Sequence, residues 1–460
     1  MASSPSSAAW ATATTSPCSA ARQSPPPIRN AAPHSPIIFT AENDDLADPA
    51  DLGPTDRQLW GGLVVLGRAR INSAVNANGD AAVPRYEVYE GLEDVVVGGQ
   101  NVFRFGGDDD GDSSGVLRYV SLRHGGQKLS PDKEINGLSL GGVGRGTVIE
   151  YIEALSFADD GYEFFGGSVN TRYLVSAFND DDAFDVDMGY SGDNQFWFAL
   201  QANDRRDNGG EINGELNERN DGTRVPVSDF RVYNATLIGA GAGAGGTANN
   251  HTFLFRRFSR GQFYNSVFTD FNGQPLNGGG PQTGAVPALQ DNLWWGYANP
   301  VFTNLLFTTA ANNNATNVNP RIRGISRAAD GGLDPRPAPG SPALGGGRPT
   351  PPGLTPASFQ GAFGGLNWAS DWSGLSAMGI LTSAGGGNPP PVPPTQPITL
   401  TVTAGTGSLT LAWTGGSAPF VVERKGALTD AAWTTVTNVT ERTATVPVTG
   451  DAGFLRVGGQ

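Results

Sequence analysis

Two pairs of adjacent acids, Asp159-Asp160 and Asp181-Asp182, stand 22 residues apart, and each is followed at the same offset by a further acid, Glu163 or Asp185. If 22 residues make one turn of a repeating structure, Asp159 lies beside Asp181, Asp160 beside Asp182 and Glu163 beside Asp185. Along the second copy Phe184, Val186 and Met188 alternate with Asp185 and Asp187, so these acids share the outward face of a strand. Like charges one strand spacing apart repel, which raises a pKa or calls for a cation. An all-oxygen cluster of this kind suits Ca²⁺. The plainer reading is a solvated acidic face that keeps the surface soluble.

The same acids invite comparison with glycosidases. Asp185 and Asp187, two residues apart on a strand, are separated by roughly 6.6 Å, within the range for inverting hydrolysis; any acidic strand meets that test. A lyase needs a base, and Arg118, Arg123 and Arg172 are available without any of them being marked out. A second acidic turn, residues 107–114, places Asp108, Asp110 and Asp112 at the alternate spacing of a calcium loop. Ser113 stands where an EF-hand needs glycine and Tyr119 where it needs glutamate, so an EF-hand is excluded. A third polar stretch, residues 208–221, carries Glu211, Asn213, Glu215, Asn217, Glu218 and Asp221 and reads as a coil-edge loop that lines a groove.

Other chemistries find little support. Gly241, Gly243 and Gly246 satisfy G-x-G-x-x-G, but the residues that follow lead into a strand, where a dinucleotide site needs a helix. Gly142, Gly144 and Gly146 also precede a strand. The three histidines, His34, His124 and His251, lack metal-ligand spacing, and His124 reads as a surface residue at a turn. The run from Gly189 to Asp193 breaks the nucleophile elbow at its last position. Trp197, Trp294, Trp295 and Trp60 would make sugar-stacking platforms if exposed; the competing reading is core packing.

The chain that must position these residues has 460 amino acids, with 65 glycines and 33 prolines lying between short runs of Val, Ile, Leu, Phe and Tyr. That pattern predicts many strands and turns with almost no helix. The net charge is −14. Residues 1–36 hold two bases and no acid, residues 398–460 balance four of each, and the middle carries −16. Such a body repels polyanions, so a nucleic-acid partner is excluded. No apolar run reaches the roughly 18 residues of a spanning helix. Cys18 is the only cysteine, which excludes an intramolecular disulfide.

Residues 1–36, rich in Ser, Ala and Pro, read as a disordered or misassigned leader with no apolar signal segment. Strand-like sequence fills residues 37–383. A Gly-then-Pro linker occupies 384–397, and short alternating strands such as 398–403, 408–413 and 420–424 form a small β-sandwich around Trp413 over 398–460. In the middle region Tyr151 aligns with Tyr173 and Ile152 with Leu174 at the offset of 22; residues 115–120 are an earlier copy offset by 32, and Tyr233 aligns with Tyr264. A period near 22 without helices predicts a parallel β-helix, since propeller blades need about 40–50 residues.

Four segments then carry a family resemblance: residues 59–67, opening Leu59-Trp60-Gly61-Gly62; residues 134–138; residues 159–167; and residues 334–344, opening Asp334-Pro335-Arg336-Pro337. Across about residues 37–380 the chain resembles a large group of secreted bacterial, pectate-lyase-like β-helix proteins of mostly unknown function. The tail resembles a fibronectin type III module. The resemblance implies a right-handed parallel β-helix exported to the cell surface, the exterior or the periplasm. It supplies no catalytic set that could be carried over residue by residue. The expectation is therefore an all-β, monomeric chain that binds polysaccharide or cell-surface components without catalysis, with Ca²⁺ as the one candidate cofactor. Two alternatives stay open: a calcium-assisted polysaccharide lyase or glycoside hydrolase, and a purely structural solenoid.

Overall fold

The computed structural model describes residues 12–13, 35–72, 85–130, 133–215, 223–245, 250–282, 284–383, 399–414, 420–427, 433–448 and 454–459. Apart from Thr12–Ala13 and the last residues before Ile37, the expected leader lies outside these residues, and so does the expected linker. The chain divides into two units, Met1–Gly387 and Asn388–Gln460.

The first unit is a parallel β-helix. One parallel sheet stacks Leu63–Leu66, Leu138–Gly141, Tyr162–Phe165, Phe184–Asp187, Gly210–Asn213 and Phe253–Arg256. A second begins with Ile37–Phe39, Val116–Arg123, Val148–Leu155, Thr171–Ala177 and Asp193–Leu200, and then runs on as two separate columns. The inferred register is the observed one. Ile149 pairs with Thr171 and Glu163 with Asp185, each 22 residues on, while Val148 pairs with Val116 across the 32-residue offset.

The split has a conformational cause. Tyr119, Tyr151, Tyr173, Phe196, Asn234, Asn265 and Asp291 occupy one position in successive coils, and all have φ between 51° and 59°. A left-handed residue bends the strand into a corner, so each long strand serves two faces. Bulky residues hold this unfavourable conformation because their rings stack: Tyr119 on Tyr151 at 4.5 Å, Tyr151 on Tyr173 at 4.3 Å, and Tyr173 on Phe196 at 4.8 Å. Trp368 and Trp372, from the segment that follows the last coil, pack edge-on against this stack. The buried Glu153 carboxylate fixes that segment by accepting from the backbone N–H groups of Gly374 and Leu375.

His124 sits at a second corner with φ 63° and is buried, which corrects its reading as a surface residue. Its Nδ1 lies 2.8 Å from the Asp56 carbonyl. Met188 occupies a third corner at φ 54° and packs with Phe165 and Ile71, so the apolar alternation of its strand ends at Val186. Gly210–Asn213, expected within a loop, is a strand of the first sheet.

The interior is apolar. Trp197 stacks on Phe184 at 4.3 Å and donates from Nε1 to Thr171, and Trp294 packs on Phe268 at 4.4 Å; both are fully buried. Neither can offer a face to sugar, which corrects that expectation. An aromatic ring gains more from leaving water than it could from a solvent-exposed contact. Trp60 is half-buried between Phe39 and Phe157, and Trp295 alone of the four is exposed. Phe302 and Phe307 close on Trp294 at the last coils.

The second unit is a small sandwich of two three-stranded antiparallel sheets. Thr399–Gly405, Ser408–Thr414 and Thr443–Pro447 form one; Thr434–Val439, Phe420–Lys425 and Phe454–Gly459 form the other. Trp413 and Phe420 meet in its core at 5.2 Å.

Candidate cation-binding groove

The acids converge where the first sheet begins, at the turn that precedes each of its strands. The turn residues divide by role. The Asp160 N–H donates to Asn136 Oδ1 at 3.2 Å, the Asp182 N–H to Asp160 Oδ1 at 2.9 Å, and the Asn208 N–H to Asp182 Oδ1 at 2.6 Å. Asn136, Asp160 and Asp182 thus form a buried side-chain ladder that satisfies one amide of each following coil. Their sequence neighbours Asp159 and Asp181, with Asp207 in the next coil, line an open groove of about 540 Å³ together with Gln58, Lys128, Glu134, Asp180, Asp204, Arg205 and Arg206.

One step along the strands, Ser139, Glu163, Asp185 and Glu211 form a row in register. Glu163 is buried and accepts from Asn136 Nδ2. Asp185 Oδ1 is buried without a hydrogen-bond partner. Hence, of the acids expected to be outward and solvated, Asp160, Glu163, Asp182 and Asp187 are buried and Asp159 and Asp185 half-buried, while Asp181 stays exposed.

Three carboxylate triads result, each with ligand oxygens within 4.8 Å of one another: Asp159, Asp160 and Asp181; Asp160, Glu163 and Asp185; Asp181, Asp182 and Asp207. Asp160 and Asp181 are each shared by two triads. Oxygens bound to one Ca²⁺ ion, each at about 2.4 Å, lie no more than about 4.8 Å apart, so the triads are compact enough to share one. The orphaned Asp185 oxygen supplies an acceptor that a cation would satisfy.

Electrostatics point the same way. Burial, reinforced by the charge of Asp181, raises the Asp159 pKa to about 7. Burial and then Asp181 raise Asp207 to about 6. Burial is again the leading cause for Asp160, Glu163, Asp182 and Asp185, all pushed well above the ordinary carboxylate range, and neighbouring carboxylates add to it. Asp181 is raised too, by burial and then by Glu134 and Asp180.

The cations in and beside the groove are already paired, several of them with acids of the groove itself. Lys128 pairs with Glu134, Arg57 with Asp180 and Asp204, Arg205 with Asp180, and Arg256 with Glu211. Arg206 donates to the carbonyls of Asn203 and Gly245. Arg118 pairs with Glu150, Arg172 donates to the Gly353 carbonyl, and Arg123 is buried against Ser121.

Among the described residues Asp187 belongs to none of the three triads; one of its oxygens accepts from the Met188 N–H. Asp108, Asp110 and Asp112 also lie outside them. Asp110 is bonded to Arg70, and Asp112 takes the Arg68 guanidinium in a two-point contact, so the turn spends these carboxylates on arginine rather than presenting a calcium loop. Asp207 was not singled out from the sequence. The available signal was Asp207-Asn208 as a third copy of the paired turn acids, 26 residues after Asp181-Asp182.

Stacked parallel coils define a parallel β-helix. A family model described as pectate-lyase like beta helix domain matches residues 28–319, and the chain belongs to that family. No curated protein and no solved structure matches it.

Proposed function

We propose that this is an extracellular or cell-surface β-helix protein that binds Ca²⁺ in the acidic groove and engages polysaccharide or other surface components without cleaving them. The observation that carries the reading is the set of interlocked triads. Asp159, Asp160, Asp181, Asp182 and Asp207 bring their oxygens close enough to share a cation, and the burial of Asp160 and Asp182 together with the crowding of like charges makes that charge costly unless a cation offsets it. Bound there, the ion would supply positive charge to an otherwise anionic groove, and an acidic ligand could then approach.

The committed arginines and lysine favour binding over elimination chemistry, because a lyase needs a base able to take a proton from the sugar. The groove lining also lacks an aromatic platform for a neutral sugar ring. Family membership supports the extracellular location, and no helix among the described residues is long and apolar enough to cross a membrane. The sandwich fits a fibronectin type III-like binding or spacer module, and a monomer is the expected state.

One observation favours a second reading. Asp159, its pKa raised to about 7, lies beside a second acid, Asp181, and a carboxyl poised to hold a proton next to another carboxyl is what a glycoside hydrolase uses as its acid. The test is a screen of acidic and neutral polysaccharides with and without Ca²⁺, reading new reducing ends, unsaturated products and glycan retention. Calcium-dependent retention without new ends supports the binding reading. Cleavage that disappears in an Asp181→Asn/Asp182→Asn double variant overturns it in favour of the enzyme, and silence in every channel leaves a structural solenoid.

A further inference from the structure

The outer face of one sheet of the C-terminal sandwich gathers two cations around one indole ring. In this sheet Phe420 and Val422 of the central strand, with Val436, Leu455 and Val457 of its neighbours, form the core. By strand alternation Glu423 and Lys425 project to the other side, as do Phe454 and Arg456, their neighbours in the ladder (Glu423 opposite Arg456, Lys425 opposite Phe454). Trp433 stands just before the third strand. Its ring has the Arg456 guanidinium 4.5 Å from the centroid and the Lys425 ammonium at 5.1 Å. The arrangement is open to solvent: the Arg456 side chain is 52% exposed and Phe454 39% exposed.

The opposite sheet provides a contrast within the same unit. There the outward positions include Thr401, Thr403, Thr410 and Thr445, all exposed and neutral. Trp433, Lys425, Arg456 and Phe454 thus lie together on one of the two faces. Cation–π contacts hold long basic side chains in place and limit the entropy lost when they grip an anion.

We infer that the face formed by Trp433, Lys425, Arg456 and Phe454 is a docking surface for an acidic polysaccharide whose sugars carry uronate carboxylates. A uronate joins the two chemistries present, an apolar ring face that suits the Phe454 ring and the indole edge, and a carboxylate that suits the paired cations. Arg456 also donates to Glu423 at 2.7 Å, so the ligand carboxylate competes with Glu423 for that guanidinium and binding weakens with salt. The surface needs no metal and is independent of the groove.

The test uses the full chain in EDTA, which silences the groove, and measures affinity electrophoresis in gels containing alginate or neutral dextran. The wild type is expected to be retarded by alginate and not by dextran, with retardation falling as salt rises. Trp433→Ala and the double variant Lys425→Gln/Arg456→Gln are expected to bind alginate at least tenfold more weakly, while Thr410→Ala on the opposite sheet binds as the wild type does. The double variant removes both charges while keeping long polar side chains and the indole ring, so it tests the face even if Trp433→Ala unfolds the sandwich. Wild-type alginate affinity in the double variant, equal retardation by dextran, or no retardation of the wild type by alginate would each overturn the assignment. None of these results bears on calcium binding in the groove.

Discussion

The backbone N–H of Asp182 donates to the carboxylate of Asp160, 2.9 Å away and one coil earlier. A group that repeats as a surface acid in the sequence is thus a rung inside the turn. Replacement with Asn keeps the acceptor and removes the charge, whereas Ala leaves a buried amide without its partner. In EDTA at pH 8, Asp160→Asn should gain about 1 kcal/mol of stability, because the buried charge is gone. Asp160→Ala should lose about 1–3 kcal/mol. Urea unfolding of the two variants beside the wild type checks both signs.

The groove makes stability depend on pH. Asp159 and Asp207 have folded-state pKa values raised to about 7 and about 6, so protonation stabilises the fold relative to the unfolded chain. That contribution is complete below the ordinary carboxylate range, near pH 4, and is lost as pH rises through 6 and 7. In EDTA the melting temperature should therefore fall between pH 5 and pH 8. Calcium competes with these protons, so its stabilising shift should grow over the same interval; scanning calorimetry at four pH values, with and without Ca²⁺, reads both trends.

Trp197 and Trp295 should respond in opposite ways to truncation. Trp197 is sealed against Phe184, so Trp197→Ala is expected to cost about 3–5 kcal/mol. Trp295 is 38% exposed, and Trp295→Ala should cost about 1 kcal/mol or less. Chemical denaturation separates the two, and a small loss at Trp197 would contradict its place in the packed interior.

Asp112 and Asp181 separate the structural acids from the cation-binding ones. Asp112 is held by Arg68 at two points, so Asp112→Asn should lower stability by about 1–3 kcal/mol and leave calcium affinity unchanged. Tryptophan fluorescence during urea unfolding gives the first quantity and calcium titration the second. Lost calcium binding in Asp112→Asn would show that the turn at 107–114 takes part after all.

The parts of the fold that repeat in type and offset were legible in the sequence. Tyr151 and Tyr173 announced the coil length, and Glu163 and Asp185 announced the row of acids, because in-register stacking puts like residues together. What could not be read was the path of each coil. The corners at Tyr119, His124 and Met188 use non-glycine residues at positive φ, a conformation that residue type alone argues against. Met188 turns the strand at a corner, so the outward face is shorter and drier than alternation alone predicts. Trp197 pairs with Leu174 across an offset of 23, one residue off the 22-residue period, so the repeat does not reveal its inward direction. The burial of Glu163 and Asp182 is a tertiary property, set by neighbouring coils and loops, which a strand pattern does not encode.

The most direct measurement is a calorimetric titration of Ca²⁺ into the EDTA-stripped, dialysed full chain at pH 7.5, with Asp181→Asn alongside. Asp181 belongs to two of the three triads, so the wild type should bind saturably and the variant at least tenfold more weakly. Absence of saturable binding in the wild type, or equal affinity in the variant, would contradict the groove as a calcium site.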